Sequence, residues 1–457
     1  MSEKPHPRSL FGPLLMVAIG AVLLLVNLGA LDARSAFVAF ALYWPGLLIL
    51  WGLSRLAEFW QARRAGLVAP GLGLGGIFIL VVLVFLGTAV TSAHQYSERV
   101  NWAGVKEEVL QDDDLAFLVG QRHEFTESID RELPAGAAVR VAADRGSVRV
   151  SPSADGRVHL ILRKTLFAYE RAEAEAVQAR VAPTIDSAPH ELVIDATRRA
   201  EWAGARLNLD IRVPPRAFLD ISAVRGDVDV RGREAGVAIR VSQGNVTLED
   251  IAGAAAVQLH HGDLSARNVR GDLMADGRIG DVVVARIDGA VDLRGELYGG
   301  VRADGVSKGV RLKSTHTDVE IPRLEGDLTI ADGALRVNGA TGPVRVRTRS
   351  KDVDLEGVKG DVKVENRNGE IELEPHPQAP LGNIEVSSRE GSVRLILPAA
   401  AAFAIDALAD KGEITSDFDL PGQKDGEGRT RVSGVVNKGG AKVNILAEHG
   451  SVRIRRR

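Results

Sequence analysis

From Arg225 onward one short phrase recurs: a turn residue, usually glycine, followed by alternating apolar positions. It reads Gly226-Asp227-Val228-Asp229-Val230, then Gly244-Asn245-Val246-Thr247-Leu248, Gly262-Asp263-Leu264, Gly280-Asp281-Val282, Gly326-Asp327-Leu328, Gly360-Asp361-Val362 and Gly369-Glu370-Ile371. Two classes of turn alternate. One ends apolar-x-Gly, at Ile251-Ala252-Gly253, Val269-Arg270-Gly271, Ile287-Asp288-Gly289, Leu324-Glu325-Gly326 and Val358-Lys359-Gly360. The other is more polar, at Gln243-Gly244, His261-Gly262, His316-Thr317, Ser350-Lys351 and Asn368-Gly369. Within a class the repeat is close to 18 residues. A unit of two strands and two turns has too little apolar surface to fold alone and must stack on copies of itself. The expected fold is therefore all-β, a single-stranded β-solenoid with rungs of about 18 residues.

The pattern also assigns faces. Val228, Val230, Val246, Leu248, Val353, Leu355, Ile371 and Leu373 alternate inward, while Asp227, Asp229, Thr247, Asp352, Asp354 and Glu372 face solvent. A third apolar residue closes many strands: Ile251, Val269, Ile287, Leu324, Val358. About eight rungs fit between Arg225 and Pro375, a stack roughly 40 Å tall at ~4.8 Å per strand. Glycine at the turns supplies positive φ, and the adjoining Asp or Asn is expected to bond to local backbone.

The first ninety residues are a different material. Leu10–Leu31, Ser35–Leu56 and Pro70–Val90 are each long and apolar enough to cross a hydrocarbon core of ~30 Å. Three retained transmembrane helices are expected, since a signal peptide would be shorter and would show a small-residue cleavage site. With the N-terminus inside, Lys4, Arg8, Arg55, Arg63 and Arg64 lie on the inner side, against Arg34, Arg99 and Lys106 outside. That asymmetry predicts a cytoplasmic N-terminus and an extracytoplasmic C-terminal part. The expected organisation is a cytoplasmic tail (1–9), a three-helix membrane domain (10–91) and a juxtamembrane linker (92–121). Gly71-x-x-x-Gly75 reads as packing among these helices, and 100–109 as an amphipathic fragment of the linker. A β-rich N-terminal cap (122–222) with one helix (169–181) follows, then solenoid repeats (223–398) and closing rungs (399–457). Weak returns of the repeat at Gly412-Glu413-Ile414 and Gly450-Ser451-Val452-Arg453-Ile454 mark the latter.

Val213-Pro214, the repeats, and Leu395-Ile396-Leu397-Pro398 followed by Gly412-Glu413-Ile414 resemble the bacterial putative-adhesin β-solenoid family of the DUF4097 type. Separately, Asn27-Leu28-Gly29 and Trp44-Pro45-Gly46-Leu47-Leu48-Ile49-Leu50-Trp51-Gly52-Leu53 resemble the small membrane domain (DUF5668 type) of LiaF-like envelope-stress proteins. Together these resemblances imply a membrane-tethered surface or periplasmic module linked to adhesion or to envelope-stress signalling. They carry no catalytic residue set.

Chemistry is sparse. Zero cysteines exclude disulfides, thiol catalysis and cysteine metal sites. A net charge of −3, from 57 basic and 60 acidic residues, gives no overall pull toward nucleic acid. The ladder Asp227, Asn245, Asp263, Asp272, Asp281, Asp327, Asp361 offers one oxygen-bearing side chain per turn, too few for a calcium solenoid, and reads as turn stabilisation. His260-His261 and His316 read as exposed turn residues. Polysaccharide processing is the enzymatic alternative, with outward pairs such as Asp352 and Asp354, but it needs two carboxylates in a cleft. Tyr298 is the only aromatic between Arg225 and Pro380, so sugar-stacking platforms are scarce. Arg453, Arg455, Arg456 and Arg457 read as a solubilising strand edge. The expected protein is a non-enzymatic module without metal or cofactor. Its expected partners are the lipid bilayer and either a membrane sensor protein or an envelope polymer.

Overall fold

The computed structural model describes residues 121–168, 170–197, 205–424 and 429–457, together with ten helical positions between 44 and 88. Met1–Leu115 and Ala116–Arg457 form two separate compact units. Apart from those ten positions and the strand start at Gln121, the tail, the three spans, Gly71-x-x-x-Gly75, the linker and its 100–109 fragment lie outside the described residues. Among the described residues no helix is long and apolar enough to cross a membrane.

Alternation folds the C-terminal unit into two sheets whose inward faces meet. Each rung places one strand in each sheet. Val228–Arg233, Val246–Ile251, Leu264–Val269 and Val282–Ile287 stack in parallel in the first sheet, with Val237–Gln243, Ala255–Leu259, Leu273–Ile279 and Ala290–Leu297 in the second. Val228 lies beside Val246 and Val246 beside Leu264, an 18-residue register. The first sheet has 16 strands. The second is an open ribbon and not a closed cylinder, because Thr184–Ser187 pairs only with Glu191–Ala196 and Gly422–Lys424 only with Thr430–Val436. Between them lies a thin aliphatic core; Val228, Val230, Val246, Leu248, Val353, Leu355, Ile371 and Leu373 are all buried.

The third apolar residue of each strand is three positions after the second, which plain alternation forbids. A left-handed residue supplies the turn: Asp250 (φ 58°), Asn268 (φ 56°) and Arg286 (φ 57°) stand one above another, just before Ile251, Val269 and Ile287. The kink swings the last side chain inward. Asn268 Nδ2 bonds Asp250 Oδ1 at 2.8 Å, and Arg286 Nε bonds Asn268 Oδ1, so a polar column ties the strained positions together.

The Asp and Asn residues beside the turn glycines do not bond locally. Asp227 Oδ1 accepts the Asn245 amide at 2.8 Å, Asn245 Oδ1 the Asp263 amide at 2.9 Å, and Asp263 Oδ1 the Asp281 amide at 2.8 Å. Each side chain reaches the equivalent residue of the next rung. The correction has a simple cause: corners lie outside the strand ladders, and their amides need a partner one strand spacing away. The glycines beside them pack as tightly. A Cβ on Gly244 (φ 141°) would lie 2.2 Å from the carbonyl oxygen of Gly226.

Rung order departs from sequence order at both ends. Ala138–Arg145 and Val148–Pro152 form a rung sandwiched between Glu191–Ala196 with Arg206–Val213 and Leu219–Arg225 with Val228–Arg233. Outside it, Arg157–Ala168 and then Gln121–Glu132 add antiparallel strands, and the helix Arg171–Gln178 packs nearby, buried at Ala174. At the other end, Ala441–His449 and Val452–Arg456 slide between Leu381–Glu390 with Val393–Leu397 and the later-stacked Phe403–Ala409 with Ile414–Ser416. Arg453 is thus flanked by a strand on both sides, contrary to the sequence expectation, whereas Arg455 and Arg456 pair with a strand on one side only. Arg456 lies over the Phe418 ring, 4.8 Å from its centroid, and Arg457 pairs with Glu374.

Candidate functional site

One rung runs backward. Gly309–Ser314 does not cross to the first sheet but turns through Thr315-His316 into Thr317–Ile321, antiparallel to it in the second sheet. The chain then crosses on the opposite side into Arg323–Ala331, antiparallel to Val301–Val306. It reverses again at Asp332-Gly333 into Ala334–Thr341. Because stacking continues along the same axis while circulation inverts, this rung has the opposite hand to its neighbours. Two expected turns change identity. His316-Thr317 begins a hairpin strand, and Leu324-Glu325-Gly326 lies within a strand, with a register shift between Leu324 and Asp327. Forward winding resumes with Val344–Ser350 and Asp352–Val358.

Reversal opens the side of the solenoid. On the polar-turn side the chain passes between sheets at 298–300 and next at Lys351. Between these stand two hairpins, one per sheet, and no crossing. Three strand steps separate the flanking rungs, so the gap spans about 14 Å. A recess of about 430 Å³ occupies it. Its floor is apolar, from Val301, Leu312 and Ile330, which are at most 5% exposed. Thr317 adds a hydroxyl 3.4 Å from that of Thr348, both buried.

The rim is polar, and Tyr298 stands in it 64% exposed. Its hydroxyl donates to Glu296 Oε2 at 2.6 Å and accepts from Arg278 Nη2 at 2.7 Å. Arg278 Nε also bonds Glu296 Oε2 at 3.0 Å. The Tyr298 hydroxyl, then Arg278, hold the Glu296 carboxyl below the ordinary range, and the same contacts raise the Arg278 guanidinium. His316 and Lys351 complete the rim, and Lys351 has no ion-pair partner among the described residues.

Several corner carboxylates elsewhere are engaged, although Asp318 keeps one buried oxygen without a partner. Asp352 Oδ1 accepts the Glu370 amide at 2.8 Å, and Asp361 Oδ1 the Asn383 amide at 2.7 Å. Asp354 differs: burial, then the neighbouring Glu372 and Glu356, push its carboxyl up. Glu372 lies beside it but receives Arg394 at 2.9 Å. His260 and His261 are exposed and apart from His316, and among the described residues no group of three or more His, Asp or Glu is placed to hold a metal.

Two arrangements escaped the sequence reading. His159 sits between Asp130 and Asp155, Nδ1 at 2.7 Å and Nε2 at 2.9 Å. Arg233 is fully buried, with its guanidinium on the carbonyls of Val213 (3.0 Å), Pro214 (2.8 Å) and Ala217. Only the second had a visible signal, an arginine in the column otherwise filled by Ile251, Val269 and Ile287. The reversal had one too: Asp332-Gly333, with φ of 51° and 77°, is the Asp-Gly dipeptide that two-residue hairpins favour.

The fold defines a β-solenoid of two stacked sheets, interlocked at both ends and opened at one side. The chain belongs to the Toastrack DUF4097 family, whose model matches residues 211–455. Among solved structures it is similar to a putative cell adhesion protein from Clostridium sporogenes, 12% identical over 74% of this chain and 100% of that one, with a TM-score of 0.17. It is also similar to a putative adhesin from Bacteroides fragilis, 8% identical over 73% of this chain and 97% of that one, with a TM-score of 0.18. No curated protein matches.

Proposed function

We propose that the chain is a non-catalytic binding module, anchored in a bacterial cell membrane by its three N-terminal spans, with the solenoid on the extracytoplasmic side. The observation that carries this reading is the engagement of the turn carboxylates. Asp227, Asp263, Asp272, Asp281, Asp352 and Asp361 each accept a backbone amide of a following rung, so the ladder is structural. What faces outward is cross-paired charge: Glu320 lies between Arg311 at 3.1 Å and Arg345 at 3.2 Å, and Arg347 pairs with Glu365 at 2.8 Å. Such a surface suits recognition of a protein or polymer better than bond cleavage, which needs two free carboxyl groups across a cleft. The sequence of the spans and their basic asymmetry support the anchor and its orientation.

The binding reading has two forms, an adhesin-like rod on a passive anchor and an envelope-stress regulator whose helices restrain a sensor protein. Photoreactive residues placed in the spans and, separately, on the outward solenoid faces distinguish them in living cells. Capture of an envelope polymer or surface protein through the solenoid is expected for the rod. Capture of a membrane sensor through the spans alone makes the regulator the correct form. Hydrolysis of an envelope glycan by the purified protein, abolished by Asp354→Asn, would overturn both.

A further inference from the structure

We propose that the side opening at the reversed rung binds a sugar residue bearing an acidic group, as part of an envelope polysaccharide. This deepens the binding reading above, and rests on it, by naming a site and a ligand class.

Three independent features converge there. The opening is a consequence of topology: among the described residues a chain segment closes the polar-turn side where winding runs forward, and here two successive crossings are missing. The recess of about 430 Å³ falls within the ~300–1,000 Å³ of small-ligand pockets. Thr317 lines it, and Leu312 and Ile330 floor it.

The aromatic residue is the second feature. A chain that builds the whole stretch from Arg225 to Pro380 with one aromatic puts that one, Tyr298, in the mouth of the opening. Its hydroxyl is pinned by Arg278 and Glu296, so the ring is fixed at one end and loses little freedom when a ligand lies on it. The Arg278 guanidinium carbon also stands over the ring, 5.6 Å from its centroid, while its Nη2 bonds the hydroxyl. The electron-rich face of such a ring attracts the polarised C–H groups on one side of a pyranose.

Charge is the third. Arg278 and Glu296 neutralise one another, which leaves the Lys351 ammonium as the uncompensated charge of the rim. A carboxylate or sulfate on the sugar complements it.

The test is calorimetric titration of the full-length protein in detergent. The probes are a glucuronate-containing tetrasaccharide, its neutral glucose counterpart and a glutamate-rich peptide. The acidic tetrasaccharide is expected to bind, the neutral one more weakly. Tyr298→Ala is expected to weaken both about tenfold, and Lys351→Ala to weaken only the acidic one. Replacing 315–333 with Gly-Asn removes the backward rung, joins Gly309–Ser314 to Ala334–Thr341 as an ordinary corner, and is expected to abolish binding while the β-sheet circular dichroism persists. Failure of both sugars to bind, preference for the peptide, or indifference to Tyr298→Ala overturns the proposal. Sugar binding that survives in the Gly-Asn protein removes this site and leaves the binding-module reading standing.

Discussion

Arg233 lies directly beside Ile251 in the first sheet, the two occupying the same inward position of successive rungs. One is a hydrocarbon among hydrocarbons; the other is a cation in the same dry layer. The difference is local demand. The chain leaves Val213 through Pro214-Pro215, passes over an already occupied rung, and re-enters the stack at Leu219; along this crossing the Ser153 and Ala217 amides reach the carbonyls of Val213 and Pro214, while that of Ala217 has no backbone donor. The Arg233 guanidinium takes all three, and burial pushes its pKa down to about 10, so it stays charged at neutral pH.

Replacing Arg233 with isoleucine makes the column uniform yet is expected to destabilise. The Val213 carbonyl would keep the Ser153 amide and the Pro214 carbonyl the Ala217 amide, but the buried Ala217 carbonyl would lose its donor, at about 1–3 kcal/mol. Urea unfolding followed by circular dichroism measures it. A change under about 1 kcal/mol would show that water serves that carbonyl equally well.

The corner glycines divide into two kinds. Gly244→Ala drives a Cβ into the Gly226 carbonyl and forbids the φ of 141°, so a loss of about 3 kcal/mol or more is expected. Gly333→Ala, at φ 77° with open space around its Cβ, is expected to cost only about 1 kcal/mol. Equal thermal shifts for the two would refute close rung contact as the cause.

Asp263→Ala removes an acceptor from the Asp281 amide and is expected to cost about 1 kcal/mol, whereas Asp263→Asn retains the oxygen and should be close to neutral. The thermal midpoint is expected to be unaffected by EDTA. Stabilisation by calcium that Asp263→Ala removes would instead make the ladder a metal site.

Stability should depend on pH through His159. Hydrogen bonds donated by its ring to Asp155, then Asp130, raise its pKa, while the Ser153 hydroxyl, then His159, depress that of Asp155. The histidine contribution is complete below its ordinary value and is lost as pH rises through the raised folded value. The Asp155 contribution is present above the ordinary carboxylate value and is lost as pH falls through the depressed one. The midpoint difference between wild type and His159→Gln should therefore shrink as pH rises above the ordinary histidine value of about 6.5. A difference constant over that rise would exclude the linkage.

Removal of 441–457 is expected to do more damage than loss of an end rung, because it deletes a strand from the interior of each sheet. Phe403–Ala409 and Ile414–Ser416 would lose their parallel neighbours, and limited proteolysis should cut within 399–436. Resistance there would mean that the outer rung can close the gap directly onto Leu381–Glu390.

Much of the solenoid was legible in residues such as Val246, Leu248 and Ile251 because alternation and the apolar-x-Gly corner are local rules. The site was less legible. Tyr298 was visible as the lone aromatic, but nothing near it in sequence shows that Ser350 and Lys351 share its recess. The ladder was visible as a column of Asp and Asn, yet its direction, to the next rung and not to local backbone, depends on the 18-residue stacking partner.

The sequence by itself determined the two-strand rung, its inward and outward faces, and the glycine and Asx columns at its corners, since each follows from side-chain period and turn chemistry. Only the tertiary structure decided the order and direction in which rungs stack. An alternating strand reads the same forward and backward, and any rung presents the same aliphatic layer to a neighbour. Interlocked ends and one reversed turn therefore cost the pattern nothing, and they are chosen by which edges remain to be paired and which amides remain to be satisfied.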